Sequence, residues 1–558
     1  MIRLGKLEGT MLLSFLLFFC FSLLYIFRFL DKNTLVSWKW VLGDQGFTTL
    51  LPCLFSSVIL SLFFSFFISF EKYQLPVLII LSGIAVFPLW NEPELLLDSG
   101  RYFLQAKNLS EYGIIFFFKE WGHTITAWTD MPLSPFLFGL AMKLGNESRE
   151  AIQLLNTIIF FFTIVVTSRI GAILWNKELG FYAGLILAGM PYLLTQVPQM
   201  LVDVHAMFFH ALAFYCFLEA MRKKNRFSLI LSSATITLAV FVKYSVWPLI
   251  TLLPLSGFLF HQQGMYNSTF KRMLFIFIPA VFVSIILISF KFEVFAEQLR
   301  TLLSYQRPAL KLWGEGIAGS LLFHCHPFIV IISLFSIFRA HQRQDKRYVI
   351  ILLYCSVIVI LQIQRIRYMI PLMPFIALMA SYGLACFKEK MLKRYAGSLI
   401  VSSSLAILFF IYLPFFQTTS MMNIKKAGEA LNQLETESVQ VTVLPQRHSE
   451  GSTFIAIPLL DLFTKKLIVS PQKWPNNKPD YLSDHSPLLF TWLLKKPSYY
   501  ERHDEKNKSS DTIAIIGSED PASEDLVQMI KTSQVNNVTS FSQHSNVFRY
   551  RTFISILD

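Results

Sequence analysis

Between residues 11 and 416 the chain is a succession of apolar runs, each close to the length at which an α-helix crosses the hydrocarbon core of a bilayer, about 20 residues. Thirteen spans are expected, at 11–30, 48–70, 75–90, 151–173, 180–198, 203–221, 228–243, 245–261, 272–291, 317–338, 347–363, 367–387 and 396–416. The third, fifth, seventh and eighth are short or tightly joined. Composition agrees: 54% of residues are hydrophobic, 55 are Phe, and only 15% are charged, against about 25% in an ordinary soluble domain. A cytosolic enzyme, a disordered chain and a secreted disulfide scaffold are all excluded. The first run has a basic front like a signal peptide but no small-residue cleavage site, and is expected to be a retained span. The fold class that follows is an all-α polytopic membrane protein.

The net charge of +13 is unevenly placed. Residues 1–416 carry +14, and residues 417–558 carry −1. Nucleic acid is therefore not the expected partner; membrane lipids are. With a cytoplasmic N-terminus, every even-numbered span should end in a basic loop. The residues there are Arg169 and Lys177; Arg222, Lys223, Lys224 and Arg226; Lys271 and Arg272; Arg339, Arg343, Lys346 and Arg347; and Lys388, Lys390, Lys393 and Arg394. Three parts then fall on the other side: a loop at 91–150 with helix-like stretches at 99–112 and 132–144, a second loop at 292–316 holding Tyr305, Trp313 and Gly314, and the C-terminal 417–558. The last has soluble composition. Strand-like runs at 439–445, 465–470, 487–493 and 512–517 alternate with helix-like stretches at 424–436 and 522–532, which reads as a small α/β domain. The expected organisation is thus 1–74, N-terminal helices; 75–416, the main membrane region; and 417–558, the external domain.

Ionisable groups near membrane depth cost roughly 2.5–3.5 kcal/mol each on insertion scales, so those at span ends call for a function. On the non-cytoplasmic side stand Asp98 with Arg101 and Tyr102, Asp203 with His205, Lys243 with Tyr244, and Arg365, Arg367 and Tyr368. The cations gain nothing there from topology, which points to an anionic partner. Two carboxylates and several cations at one aqueous face suit glycosyl transfer from a lipid-phosphate sugar. One carboxylate can take the proton of an acceptor hydroxyl, and the cations can neutralise the departing phosphate. Taken singly, Asp98 and Asp203 also read as helix-start carboxylates and the arginines as snorkelling residues. The six cysteines form no C-x-x-C pair and read as packing residues. His324 and His326 face different sides of a helix, so no metal and no cofactor are expected, although a divalent ion is compatible with a pair of aspartates.

The order of these motifs resembles that of the GT-C glycosyltransferases of the protein O-mannosyltransferase and lipid A aminoarabinose transferase type, a glycosyltransferase family 39-like pattern, over about 75–390. The family's external loop opens with an Asp-Glu pair, a Tyr and an amphipathic juxtamembrane helix, as Asp98 to Tyr102 and then Phe103 to Gly113 do here. Met131-Pro132-Leu133-Ser134-Pro135 leading to Lys143-Leu144-Gly145 is similar to the family's proline-bearing stretch. Asp203 through Phe208-Phe209 to Arg222-Lys223-Lys224, the turn Val242-Lys243-Tyr244 with Pro248, and Arg367-Tyr368-Met369-Ile370-Pro371-Leu372-Met373-Pro374 complete the series. Ser99 stands where the family usually has Glu, and Val204 where it often has Pro.

The resemblance implies the GT-C fold and an inverting transfer from a polyprenyl-phosphate sugar to a lipid, glycan or protein acceptor. It implies Asp98 as general base and Asp203 as the residue that positions acceptor or sugar. Lys243 and Arg367, with Arg365, would bind the donor phosphate, and Arg101, Tyr102, His205, Tyr244 and Tyr368 would contact substrate. The expected location is the bacterial inner membrane. Two other readings compete: a transporter or flippase, which often shows internal repeats not visible here, and a non-catalytic scaffold with an external domain.

Overall fold

The computed structural model describes residues 5–30, 46–67, 73–223, 225–260, 266–308, 316–446, 449–500, 512–518, 537–545 and 550–558. Among them, 8 helices are long and apolar enough to cross a membrane, or up to 9 if the pair Ile317–His324 and Pro327–Arg343, bent by 117°, is one span. The chain is an integral, multi-pass membrane protein. All thirteen expected segments contain helix, but Arg226–Val240 and Tyr244–Phe260 are shorter, and Lys177–Ala188 has only 12 residues. The fifth expected span breaks at Gly189–Met190 and resumes as Pro191–Gln196.

Apolar residues line both the interior and the lipid face, as an element hydrophobic all round requires. Helix Asn267–Ser289 is only 22% buried, whereas Ile366–Leu384 is 94% buried and lies at the centre of the bundle. Close backbone approach needs small residues: Gly171 meets Gly180 at a spacing that a Cβ would overfill. At one end of the bundle the basic loops meet. Arg347 donates to the Leu174 carbonyl, Trp175 to Asp345, and Lys393 to Glu178. The candidate site lies among the polar residues of the opposite loops.

The two helices expected in the 91–150 loop are present as Asp98–Glu120 and Leu133–Leu144, neither of them a span. The first is longer than expected and bends at Gly113, whose φ of 84° suits a residue without a Cβ. The C-terminal domain begins with helix Met421–Gln433 and contains a five-stranded sheet of β1 (Ser438–Val443), β2 (Leu467–Val469), β3 (Ile513–Gly517), β4 (Val538–Phe541) and β5 (Phe553–Leu557). Its order is β2-β1-β3-β5-β4, with β1 parallel to β2 and β3 and β5 antiparallel to β3 and β4. The 487–493 run is a correction. It forms a short 3-10 helix, Leu489–Trp492, and no strand. The 522–532 stretch, Trp313 and Gly314 lie outside the described residues.

This domain docks on the juxtamembrane helix. Gly100 lets Ile455 approach so closely that a Cβ would stand 2.9 Å from its methyl. Lys107 Nζ donates to both oxygens of Asp461 at 3.0 and 2.9 Å, and Tyr500 donates to the same carboxylate at 2.7 Å. Burial works against the Lys107 charge, but Asp461 outweighs it and raises the Lys107 pKa.

Candidate active site

Both aspartates sit in first turns: Asp98 begins helix Asp98–Glu120 and Asp203 lies at the start of Val202–Arg222. The helix dipole favours a carboxylate at such a place. A third carboxylate fixes the two turns relative to each other. Glu94 accepts from the Ser99 hydroxyl at 2.8 Å, from the Met200 backbone N–H at 2.9 Å and from Arg149 at 3.0 Å. Gln199 reinforces this join by accepting from Leu95 N–H and donating to the Pro93 carbonyl. Lys243 occupies an extended turn (φ −167°, ψ 139°) before Tyr244–Val246. Arg367 lies in the four-residue helix Ile366–Met369, just ahead of Pro371 and Pro374.

These elements bring six charges into one alternating row. Arg367 donates from Nη1 to Asp98 at 2.8 Å, and from Nε and Nη2 to Asp203 at 3.1 and 2.9 Å. Lys243 holds the other Asp203 oxygen at 2.5 Å. Arg101 donates to Asp98 at 3.1 Å and to Asp130 at 2.9 Å. The sequence along the row is Lys243, Asp203, Arg367, Asp98, Arg101, Asp130. Asp203 is completely enclosed, whereas the Asp98 side chain is 21% exposed. Burial alone would raise the Asp98 pKa, but Arg367, Arg101 and Arg365 outweigh it and hold the carboxyl well below the usual range. At Asp130 burial prevails over Arg101 and Gln105, and the pKa is raised.

The row borders a cavity of about 120 Å³. Asp98, Arg101, Lys243, Arg365 and Arg367 all reach it, and so do Tyr102 and Tyr368. Lys243 lies over the Tyr368 ring at 4.6 Å. Trp128 and Tyr305 form one wall, edge to face at 5.5 Å. The C-terminal domain closes the other side with Pro487, Leu488, Phe490 and Tyr550, and Tyr305 donates to the Ser486 carbonyl. Among the described residues no group of three or more His, Cys, Asp or Glu is placed to hold a metal ion.

A family model described as dolichyl-phosphate-mannose-protein mannosyltransferase matches residues 129–290, less than half of the chain. In the solved structures, ArnT from Cupriavidus metallidurans bound to undecaprenyl phosphate superposes with a TM-score of 0.52 at 11% identity, over 87% of this chain and 98% of that one. Its apo state gives 0.50 at 10% identity, over 88% and 98%. The fold is that of ArnT, the GT-C fold. The archaeal oligosaccharyltransferase AglB from Archaeoglobus fulgidus reaches 0.48 at 12% identity, over 81% of this chain and 70% of that one. No curated protein matches the chain significantly in sequence.

Within this GT-C fold, the expected residues separate into two groups. Asp98, Arg101, Tyr102, Lys243, Arg365, Arg367 and Tyr368 converge on the cavity. Asp203 does not line it; it lies behind Arg367 and Lys243 and holds both. Two residues expected to touch substrate do not border the cavity. His205 turns to Asn156 Oδ1 at 2.9 Å and stacks near Phe138, and Asn156 in turn donates to the Gln199 carbonyl. Tyr244 donates to Gln298 at 2.7 Å and packs on Trp247. Tyr244 follows Lys243 on a turning backbone, and His205 lies two residues beyond Asp203 on a helix, about 200° around its axis, so each side chain points the other way. Asp130, Glu94, Trp128, Phe490 and Tyr550 are not singled out by the sequence, and Tyr305 is marked there only as a residue of the 292–316 loop, with no place in the site. Asp130 adjoins the Met131-Pro132 motif, which is the one signal that could have found it.

Proposed function

We propose that the protein is a membrane glycosyltransferase that moves a sugar from a polyprenyl-phosphate donor to an acceptor hydroxyl on a lipid, glycan or protein. The observation that carries this reading is Arg367, buried and bonded to both Asp98 and Asp203 at the edge of a cavity that Lys243 and Arg365 also line. A buried cluster of this kind is costly to maintain for stability alone and suits an anionic ligand. The multi-pass bundle gives a lipid carrier access from the membrane, as the neighbour crystallised with undecaprenyl phosphate supports.

In the proposed reaction Arg367, Arg365 and Lys243 bind the donor phosphate. The acceptor oxygen attacks the anomeric carbon as the bond from that carbon to the phosphate oxygen breaks. The phosphate leaves with the electron pair, its charge met by the cations, the acceptor proton passes to Asp98, and the configuration inverts. Asp98 is ionised but a weak base while Arg367, Arg101 and Arg365 surround it. A bound phosphate takes over part of that positive charge, and the proton affinity of Asp98 rises when the substrate is in place. Asp203 keeps the cations oriented. By the basic loops, the N-terminus is assigned to the cytoplasm and the C-terminal domain to the far side of a bacterial inner membrane.

The test is turnover by the purified full chain with a panel of polyprenyl-phosphate sugars. Asp98→Asn is expected to abolish turnover while donor binding persists. Arg367→Ala is expected to weaken donor binding. Wild-type protein that binds no lipid-phosphate sugar would refute the assignment.

A further inference from the structure

Glu94 is a carboxylate with no place in the proposed chemistry: it is 1% exposed and does not border the cavity. Its two oxygens nevertheless collect donors from three elements. Oε2 accepts from the Ser99 hydroxyl at 2.8 Å and from the Met200 N–H at 2.9 Å, and Oε1 accepts from Arg149 Nε at 3.0 Å. Ser99 follows Asp98 directly in the first turn of its helix, and Met200 stands just ahead of the helix that carries Asp203 in its first turn. Arg149 opens helix Arg149–Leu174 and also donates to the Trp90 carbonyl at 2.9 Å. The C-terminal domain lays the Phe463 ring over the same guanidinium at 4.8 Å.

Only a carboxylate satisfies this arrangement. Gln has one acceptor oxygen and an NH2 group that only donates, so at this position it would turn N–H either toward Arg149 or toward Ser99 and Met200. The Met200 N–H belongs to the backbone and cannot rotate away. A buried donor left without its acceptor costs the desolvation of that group, and the strain is relieved by parting the two turns. Those turns are loaded unequally. Asp203 holds both Lys243 and Arg367, whereas of these two cations Asp98 meets Arg367 alone. A change of spacing therefore leaves the cations with Asp203 and moves Asp98 away from them.

We infer that Glu94 is a positioning residue for the transfer: through Ser99 and Met200 it sets the distance between Asp98, the base, and the cations that Asp203 holds for the donor phosphate. The inference rests on the glycosyltransferase reading. A reacting group misplaced by about 1 Å costs about 100-fold in rate, so Glu94 governs turnover without touching substrate. Phosphate binding, which depends on the cations, is left in place.

The experiment uses the purified full chain, a polyprenyl-phosphate sugar that the wild type turns over, and undecaprenyl phosphate as the binding probe. Glu94→Gln is expected to lower kcat by about 10- to 100-fold, while the Kd for the probe stays within about twofold. Ser99→Ala removes one donor and no charge, and is expected to lower kcat in the same direction by less. Glu94→Ser combined with Ser99→Glu returns a carboxylate to Met200 and Arg149 from the other chain position. It is expected to recover kcat by about tenfold over Glu94→Ser alone, a rescue that general loss of structure does not produce. Loss of probe binding together with kcat in both Glu94→Gln and Ser99→Ala, or an unchanged kcat in both, overturns the inference and leaves the transferase intact. A double variant that binds the probe yet recovers no kcat also overturns it. Wild type that neither binds the probe nor turns over any donor overturns the glycosyltransferase reading itself.

Discussion

Arg367 serves two carboxylates at once, and that shared service governs how the site should respond to pH. The Asp98 pKa is depressed in the folded protein. Its contribution to stability is therefore present above the unfolded value, near 3.8, and is lost only as pH falls through the lower folded value. The same holds for kcat/KM, which reports the free enzyme. Its Asp98 limb is expected below about pH 4. With donor bound, phosphate competes for Arg367, so the Asp98 limb of kcat is expected at higher pH than that of kcat/KM. Profiles of both parameters, compared with Asp98→Glu, check this; coincident limbs would contradict the role given to phosphate. Asp98, Lys243 and Arg367 were legible in the sequence because an ionisable residue at the end of an apolar span stands out. Glu94 and Asp130 were not, because in a hydrophilic loop a carboxylate is ordinary until its buried partners are known.

At the scale of elements, the contact between helix Asp98–Glu120 and the C-terminal domain depends on one buried pair, Lys107 with Asp461. Asp461→Asn leaves Lys107 buried with only the more exposed Glu147, 3.8 Å away, as counter-charge, and is expected to destabilise docking by about 3 kcal/mol. The double replacement Lys107→Met with Asp461→Leu removes both charges and is expected to recover most of that loss. Thermal unfolding in detergent and amide exchange along 98–120 measure both. The helices here were readable from apolar length and period. The run 487–493 was not, since seven mostly apolar residues satisfy a strand pattern as well as a packed 3-10 turn, and contact with the cavity decides between them. The bend at Gly113 and the break at Gly189 likewise depend on neighbours that a local pattern does not contain.

For the whole molecule, the division of charge gives a topology that can be measured. The six native cysteines are buried or partly buried, which leaves a quiet background for engineered ones. A membrane-impermeant thiol reagent added outside intact cells is expected to label Lys478→Cys, in the C-terminal domain, and not Lys390→Cys, in a basic loop. The reverse pattern would invert the orientation. The count of spans was the weaker part of the sequence reading. Hydropathy marks an apolar segment equally well whether it crosses fully, breaks midway at Gly189–Met190, or folds back by 117° between His324 and Pro327.

The cavity wall formed by Pro487, Leu488 and Phe490 also sets an order of events during biosynthesis. These residues follow every membrane helix along the chain. A nascent chain that already carries all its spans holds Asp98 and Arg367 in a site open on one side. On the proposed orientation, the site is complete only once this domain has crossed the bilayer and settled onto Gly100 and Lys107. On the proposed function, half-made protein would consume no lipid-linked sugar, and completion of the site would double as a checkpoint on export.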